Sequence, residues 1–353
     1  MNSPFVSLPL PGYWIISLGR HDISLPVSRR AVAVNAVLLV LLLATVTASL
    51  GLGTVRLGPL EVWQALWGEG AALNQLVVRD LRLTRVLAGL ASGAAFALSG
   101  CLMQTLAGNR LATPGIIGID NAATAFAVAS VVGMASALVP SAMSLVGAVV
   151  ATALVFALAG GSGTRGYRFI VVGLGVGAVA GALTQLMLSM VAIDDANAAF
   201  PWTVGSLNAR SPEATRLLMF GLLLGLLLAL RLSRPLHLLQ LPPSVSQSLG
   251  VNLRRVRGMT LLLSVALTGL AVAVAGPVGL VALLGPEIAR MLCRHRGVPL
   301  LASALAGGLL MLLADLAGRL LLAPLEIPVG IVTAVVGSPY LLWMLLTPER
   351  SRP

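Results

Sequence analysis

No lysine occurs anywhere in the chain; all 23 basic residues are arginine. Two chemistries are thereby excluded. A GxxxxGK[ST] phosphate loop needs the lysine that reaches the terminal phosphates, and a Schiff-base enzyme needs the same amine. Cysteine is almost as scarce. Cys101 and Cys293 lie far apart, each inside an apolar run, and give neither a disulfide framework nor a metal ligand set. His21, His237 and His295 fall in or beside polar stretches without paired spacing, which argues against zinc. Ser99, Ser162 and Thr184 have no histidine at comparable depth to act as a base. No clustered aspartates suggest Mg2+-dependent diphosphate chemistry, so the chain does not read as an enzyme. Aromatic residues make up 4% and are not interleaved with a basic stripe. The formal net charge of +11 therefore does not mark a nucleic-acid surface.

Charge itself is the largest deficit. Of 353 residues, 10% are charged and 58% hydrophobic, whereas a soluble domain is about a quarter charged. With a mean hydropathy of +0.97, much of the surface must face lipid. Apolar runs long enough to cross a hydrocarbon layer suggest an all-α integral membrane protein with about ten transmembrane helices. They lie near 31–52, 84–106, 113–134, 142–160, 169–193, 214–232, 258–275, 278–293, 299–322 and 328–347. The eighth is short and carries Glu287 and Arg290, which marks it as broken or shielded from lipid. Arginines crowd the connections on one side, among them Arg29, Arg30, Arg110, Arg165, Arg168, Arg231, Arg234, Arg254, Arg255 and Arg257. By the positive-inside rule that side is the cytoplasm, and both termini lie there. Residues 1–30 read as a cytoplasmic N-terminal tail without a cleavable signal, 31–347 as the transmembrane domain and 348–353 as a C-terminal tail.

The cytoplasmic loop 233–257 is longer than a hairpin requires. Pro235, Pro242 and Pro243 precede a helix-compatible stretch, Ser244–Leu249, with Gly250 as its stop. It is either an ordered connection or a docking surface for a cytosolic partner. Gly173, Gly175, Gly177 and Gly181 give the fifth span a small face, suited to close helix packing or to lining a path. Asp315 and Arg319 are four apart, and Glu287 and Arg290 three apart, so each pair shares a helix face. Such pairs neutralise one another inside a membrane. They also leave open a proton-coupled secondary transporter using Glu287 or Asp315.

Three segments resemble a known family. Arg82-Leu-Thr-Arg85 leads through Gly89, Gly93, Ser99-Gly100 and Gln104 to Asn109-Arg110-Leu-Ala-Thr-Pro114-Gly115 and Gly118. Ala275-Gly-Pro-Val-Gly279 precedes Gly285-Pro286-Glu287-Ile-Ala-Arg290. Leu313-Ala-Asp315 and Arg319 precede Ile327-Pro-Val-Gly330-Ile-Val-Thr333 and Gly337. In order and spacing these resemble the FecCD-type permeases, which serve ATP-driven importers of siderophores, haem and vitamin B12. Departures fall at Thr84, where the family has proline, at Arg110 for proline, and at Glu287 for histidine.

The resemblance implies a ten-helix fold like that of the B12 permease, paired with a second permease chain as a homo- or heterodimer. Two cytosolic ATPases would dock on Ser246, Gln247, Ser248, Leu249, Gly250 and Val251. A periplasmic or surface solute-binding protein would dock on Arg82, Arg85 and Arg319. Gln104, Asn109, Gly173 and Gly177 join Gly166 and Tyr167 as candidate positions on the translocation path and its inner gate. ATP and Mg2+ belong to the partner ATPase, and no cofactor is expected on this chain. Trp202-Thr-Val-Gly-Ser-Leu-Asn208 resembles the siderophore branch more than the haem or B12 branches. The implied setting is a bacterial cytoplasmic membrane, the substrate a ferric siderophore, and the mechanism alternating access.

Overall fold

The computed structural model describes residues 13–18, 23–53, 55–134, 139–159, 167–294 and 297–346. Ser162 and Gly166 lie outside them, as do residues 1–12, 19–22 and 347–353. The chain opens on a two-stranded antiparallel hairpin, β1 (Tyr13–Leu18) and β2 (Ile23–Ser28), with Tyr13 opposite Ser28 and Leu18 opposite Ile23. The hairpin lies in the segment read as an N-terminal tail, ahead of the helical body. Pro26 within β2 obscures the strand in the sequence, because proline is tolerated mainly in edge strands.

Among the described residues, all regular structure after the hairpin is helical. In order come α1 (Arg29–Gly51), α2 (Pro59–Trp67), α3 (Ala72–Gln75), α4 (Thr84–Ala107), α5 (Ile119–Val131), α6 (Pro140–Ala159), α7 (Tyr167–Ser189) and α8 (Ile193–Val204). There follow α9 (Pro212–Arg231), α10 (Ser233–Leu238), α11 (Pro243–Ser248), α12 (Leu253–Ala275), α13 (Gly279–Cys293), α14 (Leu300–Leu320) and α15 (Val329–Leu346). A π-helical segment, Leu76–Leu83, joins α3 to α4, so that Ala72–Ala107 runs as one long helix. Among the described residues, seven helices are long and apolar enough to cross a membrane. Each of the ten apolar runs read from the sequence coincides with a helix, although α5, α13 and α15 are short.

The third run is composite. Pro114–Ile117 form a 3-10 turn, Gly118 turns the chain at φ +75°, and only then does α5 start. Proline at a first helical position and glycine with positive φ account for the break. After the 233–257 connection, α12 starts earlier than its apolar content suggests. The Asn252 side chain accepts the Arg255 N–H at 3.0 Å, capping the helix five residues before the apolar run.

α4 is the central post of the molecule, buried along nearly all its length from Val86 to Leu106. α14, α12 and α13 pack around it, and its buried surface is rich in alanine, glycine and serine. At Gly93 a side chain would strike the backbone of Gly307, and at Gly100 it would strike the Ala282 carbonyl. Two backbones can approach this closely only where both surfaces are small. Buried hydroxyls lock the α4–α12 seam: Ser264 donates to the Ser99 carbonyl at 2.9 Å, and Thr268 donates to the Ser99 Oγ at 3.0 Å. α5, α6 and α7 form a second group packed on one another and, through α6 and α5, on α12.

Candidate functional site

Two charged clusters mark opposite ends of the helical body. The one at the end expected to face outward, the outer cluster, forms where α1 ends, α4 begins and α14 ends. Asp315, 3% exposed, is shared: its Oδ1 faces Arg85 at 2.9 Å and its Oδ2 faces Arg319 Nε at 3.1 Å. Arg85 also reaches Glu326 at 2.8 Å. Arg82 donates from Nη1 to the Leu50 carbonyl at 2.7 Å and from Nη2 to the Val55 carbonyl at 2.5 Å. Arg319 donates to the Ser49 and Leu52 carbonyls, both at 3.4 Å. The last carbonyls of a helix have no partner within it, and here two guanidiniums supply donors to the end of α1. Three guanidiniums face two carboxylates, leaving one positive charge in excess.

The structure thus brings Arg82, Arg85 and Arg319 into one cluster, and it pairs Arg319 with Asp315 as their spacing suggests. It turns Arg82 inward, at 7% exposure, so its charge is spent on α1 and not on the outer surface. Glu326 escaped the sequence reading, because it stands on the connection before α15, 241 residues from Arg85.

The inner cluster joins α4, the loop after it and α13. Glu287 is buried inside α13, and its Oε2 lies 3.1 Å from Arg290 Nη2. Arg290 bridges onward to Gln104 Oε1 on α4. Arg110, in the loop, reaches Glu287 Oε1 at 3.7 Å. Asn109 shapes that loop, its Oδ1 accepting the Leu111 N–H at 2.9 Å. Gln104 and Asn109 therefore hold the inner end of α4 together.

Between the clusters lies a cavity of about 350 Å³, lined by Thr113, Pro277–Leu280, Leu283, Gly330 and Thr333. The starts of α13 and α15 form its walls, and two threonines are its polar groups. Sequence reasoning did not place these residues on a path, although Gly279, Gly330 and Thr333 stand inside the recognised segments. What was missing was their convergence, which only the packing of α13 against α15 supplies.

Gly173 and Gly177 on α7 face the 3-10 turn. A Cβ on Gly173 would lie 2.7 Å from the Ile116 carbonyl oxygen, and one on Gly177 would lie 3.0 Å from Gly118 Cα. Of the two roles open to them, the geometry supports helix packing. Gly175, between them, meets nothing within 4 Å. Tyr167 opens α7; its side chain, like Gly166, is outside what the structure describes.

The 233–257 connection folds into an elbow of α10 and α11. Ser246 is buried, and its Oγ donates to the Leu238 carbonyl at 2.6 Å, fastening α11 onto α10. Gln247, Ser248, Leu249 and Gly250 are exposed, and Val245 beside them adds apolar surface. Gly250 adopts φ +81° with open space around it. His237 ties the elbow to the body: its Nδ1 lies 2.5 Å from the Ser233 carbonyl, and its Nε2 accepts the Val298 N–H at 3.1 Å.

The Trp202–Asn208 segment lies beside residues that line the cavity, with Gly205 against Pro277 and Val278. Ser206 donates its N–H to the Ala275 carbonyl at 2.8 Å, and Gly330 donates to the Gly205 carbonyl at 3.1 Å. Arg210 anchors the segment, its guanidinium 4.0 Å from the Trp202 ring centre and its Nε donating to the Ser206 carbonyl at 2.8 Å. Burial of that guanidinium lowers its pKa to about 10.

A sequence model of the FecCD transport family matches residues 41–347. The chain is 38% identical over 316 residues to the achromobactin transport system permease protein of Dickeya dadantii (strain 3937), covering 87% of this chain and 89% of that protein. It is 35% identical over 301 residues to the ferric enterobactin transport system permease protein of Escherichia coli (strain K12), with 85% and 91% covered. A solved metal-chelate type ABC transporter in an inward-facing conformation is similar at a TM-score of 0.77 and 27% identity, with 89% of this chain and 99% of that chain covered.

Proposed function

The chain belongs to the FecCD transport family, and from that premise we propose that it carries ferric siderophore across a bacterial cytoplasmic membrane as the permease subunit of an ATP-binding-cassette importer. It is a transport subunit and not an enzyme. Permeases of this family work with an ATPase, a permease partner and a solute-binding protein. For this chain the reading is a pair of cytosolic ATPases on Gln247–Val251, a second permease of the same or a related sequence, and a binding protein at the Arg85 end. Ten spans with both termini in the cytoplasm complete it.

The observation that carries the reading is the exposed elbow, with Val245 and Leu249 presented to the outside and Ser246 fastening it from within. A rigid apolar knob at the end of a lipid-embedded body suits a partner that pushes on it. The lysine-free chain has no phosphate loop of its own, so that partner must bring the ATPase. The siderophore substrate is supported by the relatives named for achromobactin and ferric enterobactin. The Trp202–Asn208 segment, packed beside residues of the cavity lining, supports it too.

The secondary-transporter alternative loses support from geometry. Asp315 lies between Arg85 and Arg319, and Glu287 between Arg290 and Arg110. Each carboxylate is already engaged as a counter-ion on both oxygens.

Reconstitution of the permease with its ATPase and binding protein tests the proposal. Uptake of radio-iron as ferric siderophore should require ATP, stop with vanadate and survive a protonophore. Uptake that ignores ATP and collapses with the protonophore would return the secondary transporter. Competition by haem or vitamin B12, but not by siderophore, would move the substrate to another branch.

A further inference from the structure

Glu287 divides its two oxygens between unlike partners. Oε2 is held by Arg290, one turn along the same helix, with Nε at 3.2 Å and Nη2 at 3.1 Å, and Arg290 is itself braced on Gln104. Oε1 faces Arg110 at 3.7 Å across the gap between α13 and the loop that follows α4. The Arg290 side chain is 22% exposed and that of Arg110 60%. A pair with one member largely in water is weak and is screened by salt. A pair embedded among helices is hard to break, because either charge left alone is poorly solvated. The same carboxylate thus carries one fixed partner and one releasable partner.

The releasable partner sits where it closes something. Thr113, three residues after Arg110, lines the cavity on the loop side, while Gly279, Leu280 and Leu283 line it on the α13 side. Leu283 and Glu287 are four residues apart and share a face of α13. The Arg110–Glu287 contact therefore joins the two cavity walls one helical turn below the cavity, on the side of the arginine-rich connections.

We propose that Arg110 and Glu287 form a salt-sensitive clasp across the cytoplasmic floor of this cavity, parted in each cycle when the loop after α4 swings from α13. Arg110 acts as a positioning residue: it touches no substrate and holds the loop through Glu287. The clasp rests on the importer reading for its place in a cycle, but its electrostatics can be read without ATP or siderophore.

The test uses the complete permease–ATPase complex in liposomes, without nucleotide, and records leak of an entrapped small dye. Arg110 is exposed, so Arg110→Lys, Arg110→Gln and Arg110→Glu should all fold. Leak should stay near the parent value in Arg110→Lys, rise several-fold in Arg110→Gln and rise further in Arg110→Glu, where two carboxylates repel. Raising salt from about 0.05 M to about 0.5 M shortens the screening length about threefold. That change should increase leak in the parent and leave Arg110→Gln unchanged. Equal leak across the series, or the same salt response in Arg110→Gln as in the parent, overturns the clasp. Failure of ATP-dependent uptake by the parent complex would instead sink the importer reading, with the leak results still deciding the clasp.

Discussion

Asp315 shows how much a single buried carboxylate can carry. It is 3% exposed and stands between Arg85 and Arg319, so Asp315→Asn leaves two guanidiniums facing each other without their shared anion. Removing one partner of a buried pair costs about 3–5 kcal/mol, and Asp315→Asn should lower the unfolding midpoint in detergent accordingly. A change of less than about 1 kcal/mol would mean that the pair is already hydrated, as exposed pairs are. The neighbouring arginines separate two roles. Arg85→Glu should weaken docking of the binding protein at low salt, because Arg85, 15% exposed in its side chain, reaches the surface through its partner Glu326, 44% exposed. Arg82→Glu should destabilise the protein first, since its donors end α1. Equal docking affinity of parent and Arg85→Glu at low salt would remove Arg85 from the interface. Of this cluster, the Asp315–Arg319 pair was legible as an i, i+4 spacing on one helix. The partners of Arg85, Asp315 and Glu326, were not, because no local rule links residues 230 and 241 positions apart.

At the scale of elements, the elbow and the outer helix α2 make distinct predictions. Gly250 holds φ +81° with nothing within 4 Å, so a side chain there strains the backbone without meeting a clash. Gly250→Leu should leave membrane insertion intact and sharply reduce ATP-driven uptake, by misdirecting Leu249 and Val251. Normal uptake by that variant would detach the elbow from energy coupling. α2 exposes Leu60, Trp63 and Trp67 on one side while Val62 and Ala65 are buried against the body, and the two indoles lie 5.9 Å apart. Tryptophan gathers where hydrocarbon meets water, and α2 packs on α1 just after it ends. Replacing Trp63 and Trp67 together by alanine should remove much of the quenching of tryptophan fluorescence by brominated lipid. Quenching unchanged by the double substitution would place α2 away from the bilayer. The elbow's helix was legible from Pro243 and Gly250, whose backbone preferences are local. α2, α8 and the π-helical lead into α4 were not, because short amphipathic pieces carry too few periods to stand out from connections.

For the whole molecule, the topology follows from charge placement and can be checked from either side of the membrane. Cysteine introduced at Ser248 in a background lacking Cys101 and Cys293 should react with an impermeant maleimide only from the cytoplasmic face. Cysteine at Glu69, in the connection after α2, should react only from the opposite face. Labelling of both positions from one side would break the ten-span reading. What the sequence determined by itself was the solvent and the helical class, and it carries the expectation of sidedness. Each depends on sums over many residues: scarce charge, apolar runs of membrane length, and arginines gathered on alternate connections. What the tertiary structure alone decided was which residues meet. Arg85 finds Glu326, Arg110 finds Glu287, and Thr113 faces Gly279 and Thr333 across a cavity, because α4 is smooth enough for α12, α13 and α14 to close around it. Such meetings depend on backbones approaching to contact at Gly93, Gly100 and Gly307, a geometry fixed by packing in three dimensions and carried by no period along the chain.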